Sequence, residues 1–252
     1  MGLTISVWGK NGSGKSTVAS NLACVFAKKG MQTALVGANR FYGSIQYCFN
    51  MEVRAEQSLR AVLTGGDSLS VNEYFQECPA VRNLHIASLS DIDDCAGYRK
   101  MRVDAITRFI SLTQKSFAVV LFDCDESTED PFSMYCLTLS DSVIFVTRPT
   151  LQSAVFVKAY EPIVSGLRLN ERLTTILIND NAAIGGSASD NFLYVPFGGE
   201  GHCRVLPYCK EIGNSRGGLP PIILSHNVNR ASARYRKEIH SLADALANPS
   251  SP

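Results

Sequence analysis

Short runs of β-branched and aliphatic residues recur along the chain, separated by longer stretches in which apolar residues return every three or four positions. The short runs are LTISVW (3–8), TALVG (33–37), LHIAS (84–88), FAVVLFD (117–123), SVIFVT (142–147) and TTILIN (174–179). Several are apolar at consecutive positions, as a strand must be when helices cover both faces of its sheet. STVASNLACVFAKK (16–29) sets Val18, Leu22 and Val25 on one helical face, ends in two lysines that suit the helix dipole, and stops at Gly30. KMRVDAITRFISLTQK (100–115) and LQSAVFVKAYEPIVSGL (151–167) also have helical spacing, with Pro162 expected to kink or split the second. Strands alternating with helices predict an α/β fold, a mostly parallel twisted sheet flanked by helices in three layers. The expected organisation is one domain over residues 1–247 and a flexible tail, 248–252, with no internal repeat.

Composition narrows the partners. Lys and Arg total 24 against 23 Asp and Glu, a net charge of +1, so no global field draws the chain to nucleic acid or anionic lipid. Any such contact must be local. The 8 cysteines (24, 48, 78, 95, 124, 136, 203, 209) form no C-x-x-C pair and mostly fall in apolar runs, which reads as reduced core thiols rather than a disulfide framework. The chain enters its first strand directly after Met-Gly, without a leader pattern, and no run of about 18 apolar residues could span a bilayer. The expectation is a soluble cytoplasmic protein.

The candidate chemistry begins at WGKNGSGKST (8–17), where Gly9, Gly14, Lys15 and Ser16 match the phosphate-binding pattern G-x-x-x-x-G-K-[ST]. A strand ending at Trp8, a glycine-rich turn and a helix from Ser16 supply the context the motif needs. Gly12 and Gly14 let backbone N–H groups turn inward around phosphate, the helix N-terminus adds partial positive charge, and Lys15 reaches the terminal phosphates. Gly9, Lys10, Asn11, Gly12, Ser13, Gly14, Lys15, Ser16 and Thr17 are thus the candidate nucleotide loop, with the Ser16 hydroxyl available to Mg²⁺. A metal-bound triphosphate also wants a carboxylate at the end of a neighbouring strand, and Asp123 ends FAVVLFD. An Asp there could also serve only as a turn former or helix cap.

KNGSGKST resembles the deviant phosphate loop K-G-G-x-G-K-[ST] of the ParA/MinD family of ATPases, SIMIBI-class P-loop NTPases, with Asn11 in place of the first paired glycine. The resemblance implies that Lys10 reaches across an ATP-sandwich homodimer to the partner's phosphates; a solvated lysine beside an anion is the plainer alternative. STVASNLACVFAKKG looks like the family's first helix, FAVVLFD like its Walker B strand, and SDSVIFVTRPTLQS (140–153) like the segment that follows. Asn179 in TILIND stands where the family's adenine-contacting asparagine stands, and VLPYCKEI (205–212), with Pro207, resembles the late segment near the base. Within the family, residues 39–63 look most like the pilus-assembly branch, TadZ and CpaE, with MinD-type and flagellar-number ATPases as competitors.

The chain also departs from that family. One or two Asp normally follow the second strand and position the attacking water, but Gly37 and Asn39 occupy those places, and no Asp or Glu occurs from Gly30 to Met51. Phosphoryl transfer in such folds depends on positioning and electrostatics, so losing that acid should slow hydrolysis far more than it weakens binding. Asn39 can still hydrogen-bond a catalytic water, though it cannot take its proton. After Asp123 come Asp125, Glu126, Glu129 and Asp130; either one of them, Asp125, stands in for the missing acid or the four form an exposed acidic loop capping a helix.

Near the end, Tyr235, Ile239, Leu242 and Leu246 form one stripe and Arg230, Arg234 and Lys237 another. This suits either a membrane-surface or DNA-contacting helix or one docked on its own sheet. An iron–sulfur cluster between subunits would call on Cys95 and Cys136, which lack glycine-rich surroundings, and the histidines at 85, 202, 226 and 240 form no metal or triad pattern. The expected function is an ATP- and Mg²⁺-dependent homodimer that positions a protein partner, with slow hydrolysis. A non-hydrolysing nucleotide-binding scaffold and a DNA-partitioning or division-site regulator are the alternatives.

Overall fold

A computed structural model describes residues 2–39, 41–65, 70–179, 203–209, 220–226 and 229–248. Every apolar run expected to be a strand is one: β1 (Leu3–Trp8), β2 (Thr33–Ala38), β4 (Leu84–Ala87), β5 (Val119–Cys124), β6 (Ser142–Thr147) and β7 (Leu173–Asn179). Two more lie at the sheet's edges, the two-residue β3 (Gln76–Glu77) and β8 (Cys203–Pro207). Among the described residues the sheet has the order β3-β4-β2-β5-β1-β6-β7-β8, parallel throughout except where β3 runs against β4. The polar, very short β3 leaves little ladder for another chain to extend.

The helices are α1 (Lys15–Lys28), α2 (Leu59–Leu63), α3 (Val103–Ser116), α4 (Pro131–Leu139), α5 (Leu151–Gly166) and α6 (Arg230–Ala247). Strand alternation divides the core between the two faces of the sheet. Ile5, Val7, Val119, Leu121 and Ile144 face α1 and α6, whereas Val120, Phe122, Val143 and Phe145 face the side carrying α2 to α5. That two-sided burial explains why the central strands are apolar at consecutive positions.

α5 runs without a break through Pro162, so it is not split. Proline removes only the bond to the carbonyl of Lys158, an exposed residue whose carbonyl water can satisfy. α6 settles the reading of the C-terminal stripe. Tyr235, Ile239, Leu242 and Leu246 are all buried in the core that α1 shares, while Arg230, Arg234 and Lys237 are exposed. Each buried side chain contributes on the order of 1.5–3 kcal/mol to the docking. Asn229 and Ser232 start the helix with a reciprocal capping box, and Asp244 meets Lys29 at the end of α1. Among the described residues no helix is long and apolar enough to cross a membrane.

Candidate functional site

The loop between β1 and α1 lies at the C-terminal edge of the parallel sheet, where open α/β sheets bind ligands. Two of its glycines are needed for their backbone geometry. Gly9 has φ +145°, and a Cβ there would lie 2.2 Å from the Val146 carbonyl oxygen of β6. Gly14, at φ +107°, starts α1 in the left-handed region and packs against Ile178. The loop is thereby pressed onto β6 and β7, with the Ser13 amide bonded to the Lys10 carbonyl at 3.1 Å.

β5 carries Asp123 beside the loop, in register with Val7 of β1 on one side and Gly37 of β2 on the other. Ser16 Oγ donates to Asp123 Oδ2 at 2.6 Å, while Asp123 Oδ1 is buried without a hydrogen-bond partner among the described residues. Burial pushes the Asp123 carboxyl up to about 6, against the opposing pull of the Ser16 hydroxyl and the Lys15 ammonium. A bare buried carboxylate oxygen next to a loop hydroxyl suits a hard cation such as Mg²⁺. Ser16 and Asp123 would hold that cation, and its charge would offset phosphate. Beside these two side chains, phosphate and water would supply the further oxygens that such a cation takes.

Lys15 Nζ donates to Asn11 Oδ1 at 3.1 Å and to the Lys10 carbonyl at 3.3 Å, which folds the lysine back over its own loop. Burial lowers its pKa, opposed chiefly by Asp123, then Asp125 and Glu126. Glu126 Oε2 accepts from the Asn11 amide at 2.5 Å, and Trp8 Nε1 holds the Glu126 carbonyl at 3.1 Å. Trp8 is itself fixed by Phe145, Phe156 and Tyr160, at ring distances of 5.4, 5.6 and 5.4 Å. The acidic segment is therefore fastened against the loop. One of its acids, Asp130, caps α4 by accepting from Ser133 N at 2.9 Å, as the capping alternative expected, but it is fully buried rather than exposed.

Asn11, Gly12, Gly14, Lys15, Ser16, Thr17, Asn39, Asp123 and Pro207 all line one cavity of about 350 Å³, a size suited to a small ligand. Among the solved structures, Pyrococcus horikoshii MinD, a septum site-determining protein complexed with Mg-ADP, superposes with TM-score 0.73 at 19% identity over 100% of this chain and 99% of that one. A ParA family ATPase of Chlorobium tepidum gives 0.77 at 16% identity over 97% and 98%. MinD in the Aquifex aeolicus MinC:MinD complex gives 0.74 at 16% over 100% and 98%. The fold is that of the MinD and ParA ATPases. No family model and no curated protein matches the sequence.

On the MinD/ParA fold, the remaining expected residues take different places. Gly9 and Ser13 build the loop from beneath rather than line the cavity; Ser13 is buried and its Oγ has no hydrogen-bond partner. Lys10 is half-buried outside the cavity lining, and its ammonium makes no hydrogen bond or ion pair among the described residues. Backbone register pairs Asn179 with Pro207, bringing the two expected base-end positions together; the Asn179 side chain, with residues 210–212 of the late segment, lies outside the described residues. Of the two cysteines weighed for a shared cluster, Cys136 is fully buried in α4 and Cys95 is exposed.

Sequence reasoning missed Arg148, Tyr208 and Tyr235 on the cavity wall. Arg148 had a signal, a charged residue directly after a buried parallel strand. Tyr235 did not, because its spacing marked it only as part of the α6 stripe. It is buried, its hydroxyl has no partner among the described residues, and burial raises its pKa so that the phenol stays neutral.

Proposed function

We propose that this protein is a ParA/MinD-type ATPase that binds Mg·ATP at residues 9–17, dimerises across the nucleotide and thereby positions a partner protein complex. Lys15 and the loop amides take the phosphates, Ser16 and Asp123 the magnesium, Asn179 and Pro207 the base, and Lys10 the phosphates of the opposite subunit. The observation that carries the reading is the 2.6 Å contact of Ser16 with Asp123 beside an orphaned carboxylate oxygen, on a loop whose glycines have the required backbone. Association would be controlled by nucleotide state, because the bound ligand decides which partner surface exists. We place the chain nearest the TadZ and CpaE pilus-assembly branch on residues 39–63, and assign it slow turnover because Gly37 and Asn39 replace the acids.

Calorimetry with Mg·ATP tests the core of this. Wild type should take up one nucleotide per chain, and Lys15→Ala should lose at least about tenfold in affinity, since a charge-assisted phosphate contact is worth roughly 1.5–3 kcal/mol. No uptake by wild type refutes the reading. A scaffold that binds without hydrolysing is the second reading, favoured by the turn that occupies Asn39 Oδ1.

A further inference from the structure

Arg148 directly follows the last residue of β6, at the same edge of the sheet as the phosphate loop. It is half-buried and lines the cavity with Lys15, Ser16 and Asp123. Its Nε donates to the Ser13 carbonyl at 3.5 Å, and among the described residues the guanidinium makes no ion pair and no other hydrogen bond. The two terminal nitrogens are thus left for something else.

Because a trans peptide points its C=O and the following N–H in opposite directions, a grip on the Ser13 carbonyl from the β6 side turns the Gly14 amide away from β6. Arg148 therefore braces one of the amides that a phosphate would use. Charge supplies the second part of the argument. The cavity wall carries Asp123 and Asp125 against Lys15, so a polyphosphate entering with one divalent cation still meets an excess of negative charge. A planar guanidinium with unused N–H groups is the side chain best suited to offset that excess, since it can form paired, charge-assisted bonds to phosphate oxygens.

We propose that Arg148 is a second phosphate-binding cation of this site, holding the loop through Nε and contacting the nucleotide's phosphates through its terminal nitrogens. The assignment rests on the nucleotide reading above. Its test is calorimetry of Mg·ADP and of inorganic pyrophosphate with wild type, Arg148→Ala and Arg148→Lys, alongside the unfolding temperature of each nucleotide-free protein. Arg148→Ala should bind both probes about tenfold to a hundredfold more weakly, with no more loss of unfolding temperature than the single hydrogen bond to Ser13 accounts for, and Arg148→Lys should fall between it and wild type. Unchanged affinity in Arg148→Ala overturns the proposal. So does Arg148→Lys binding both probes no better than Arg148→Ala, which would show that a cation at this position adds nothing beyond the brace on Ser13. Absence of binding by wild type would instead refute nucleotide binding itself, which keeps the two failures apart.

Discussion

The side chain of Asn39 is turned toward its own backbone, Oδ1 accepting from Phe41 N at 2.9 Å and from Tyr42 N at 3.4 Å. A residue that orients an attacking water must offer it an acceptor, and the nitrogen left to Asn39 can only donate. Nor is there space for a carboxylate at the other vacated position, because a Cβ on Gly37 would lie 2.8 Å from Ser88 Oγ and 3.0 Å from Ile45 Cγ2. Aspartate at 39 has two oxygens, one to keep the turn and one to face the cavity. Asn39→Asp should therefore raise steady-state phosphate release by about tenfold or more, toward the range that positioned general bases supply. A rate equal to wild type would show that the lost acid is not what limits turnover. That the stretch from Gly30 to Met51 carries no Asp or Glu was legible in the sequence. The turn that captures Asn39 was not, since it depends on the path of the backbone beyond β2.

α4 shows where element prediction ran out. PFSMYCLTL is apolar on almost every side, so it has no stripe to reveal a helical period, and only Asp130 with Pro131 at the first helical position marked a start. The strands were legible where both faces are buried, and failed at β3, which is too short to show alternation, and at β8, which ends in proline. What positions the site between these elements is Ser133 in the first turn of α4. Its Oγ donates to the Ala38 carbonyl at 3.0 Å and accepts from Asp125 N at 2.9 Å, tying the end of β2 to the segment after β5. Ser133 is fully buried, so Ser133→Ala strands an amide and a carbonyl together. Chemical denaturation should show a loss of about 1–3 kcal/mol, and an unchanged midpoint would mean that the two segments are held by other contacts.

Across the molecule, the chemistry gathers at one edge of the sheet: the loop after β1, Asp123 on β5, Arg148 after β6 and Pro207 at the end of β8. The acidic segment sits on the same edge, with Asp125 on the cavity wall and Glu126 on the loop amide. The Lys10 ammonium lies at that edge yet makes no hydrogen bond or ion pair among the described residues. An unengaged cation there is readily explained if its partners, phosphate and acidic loop, belong to a second copy facing the first. Such a dimer would hold together only when the triphosphate supplies the charge that both lysines meet, so light scattering should show wild type doubling in mass with Mg·ATP and not with Mg·ADP. Lys10→Ala, which removes no side-chain hydrogen bond or ion pair among the described residues, should keep its unfolding temperature and its affinity for Mg·ADP while staying monomeric with Mg·ATP. If the variant doubles in mass as wild type does, Lys10 is a solvated surface lysine and the crossed arrangement is wrong.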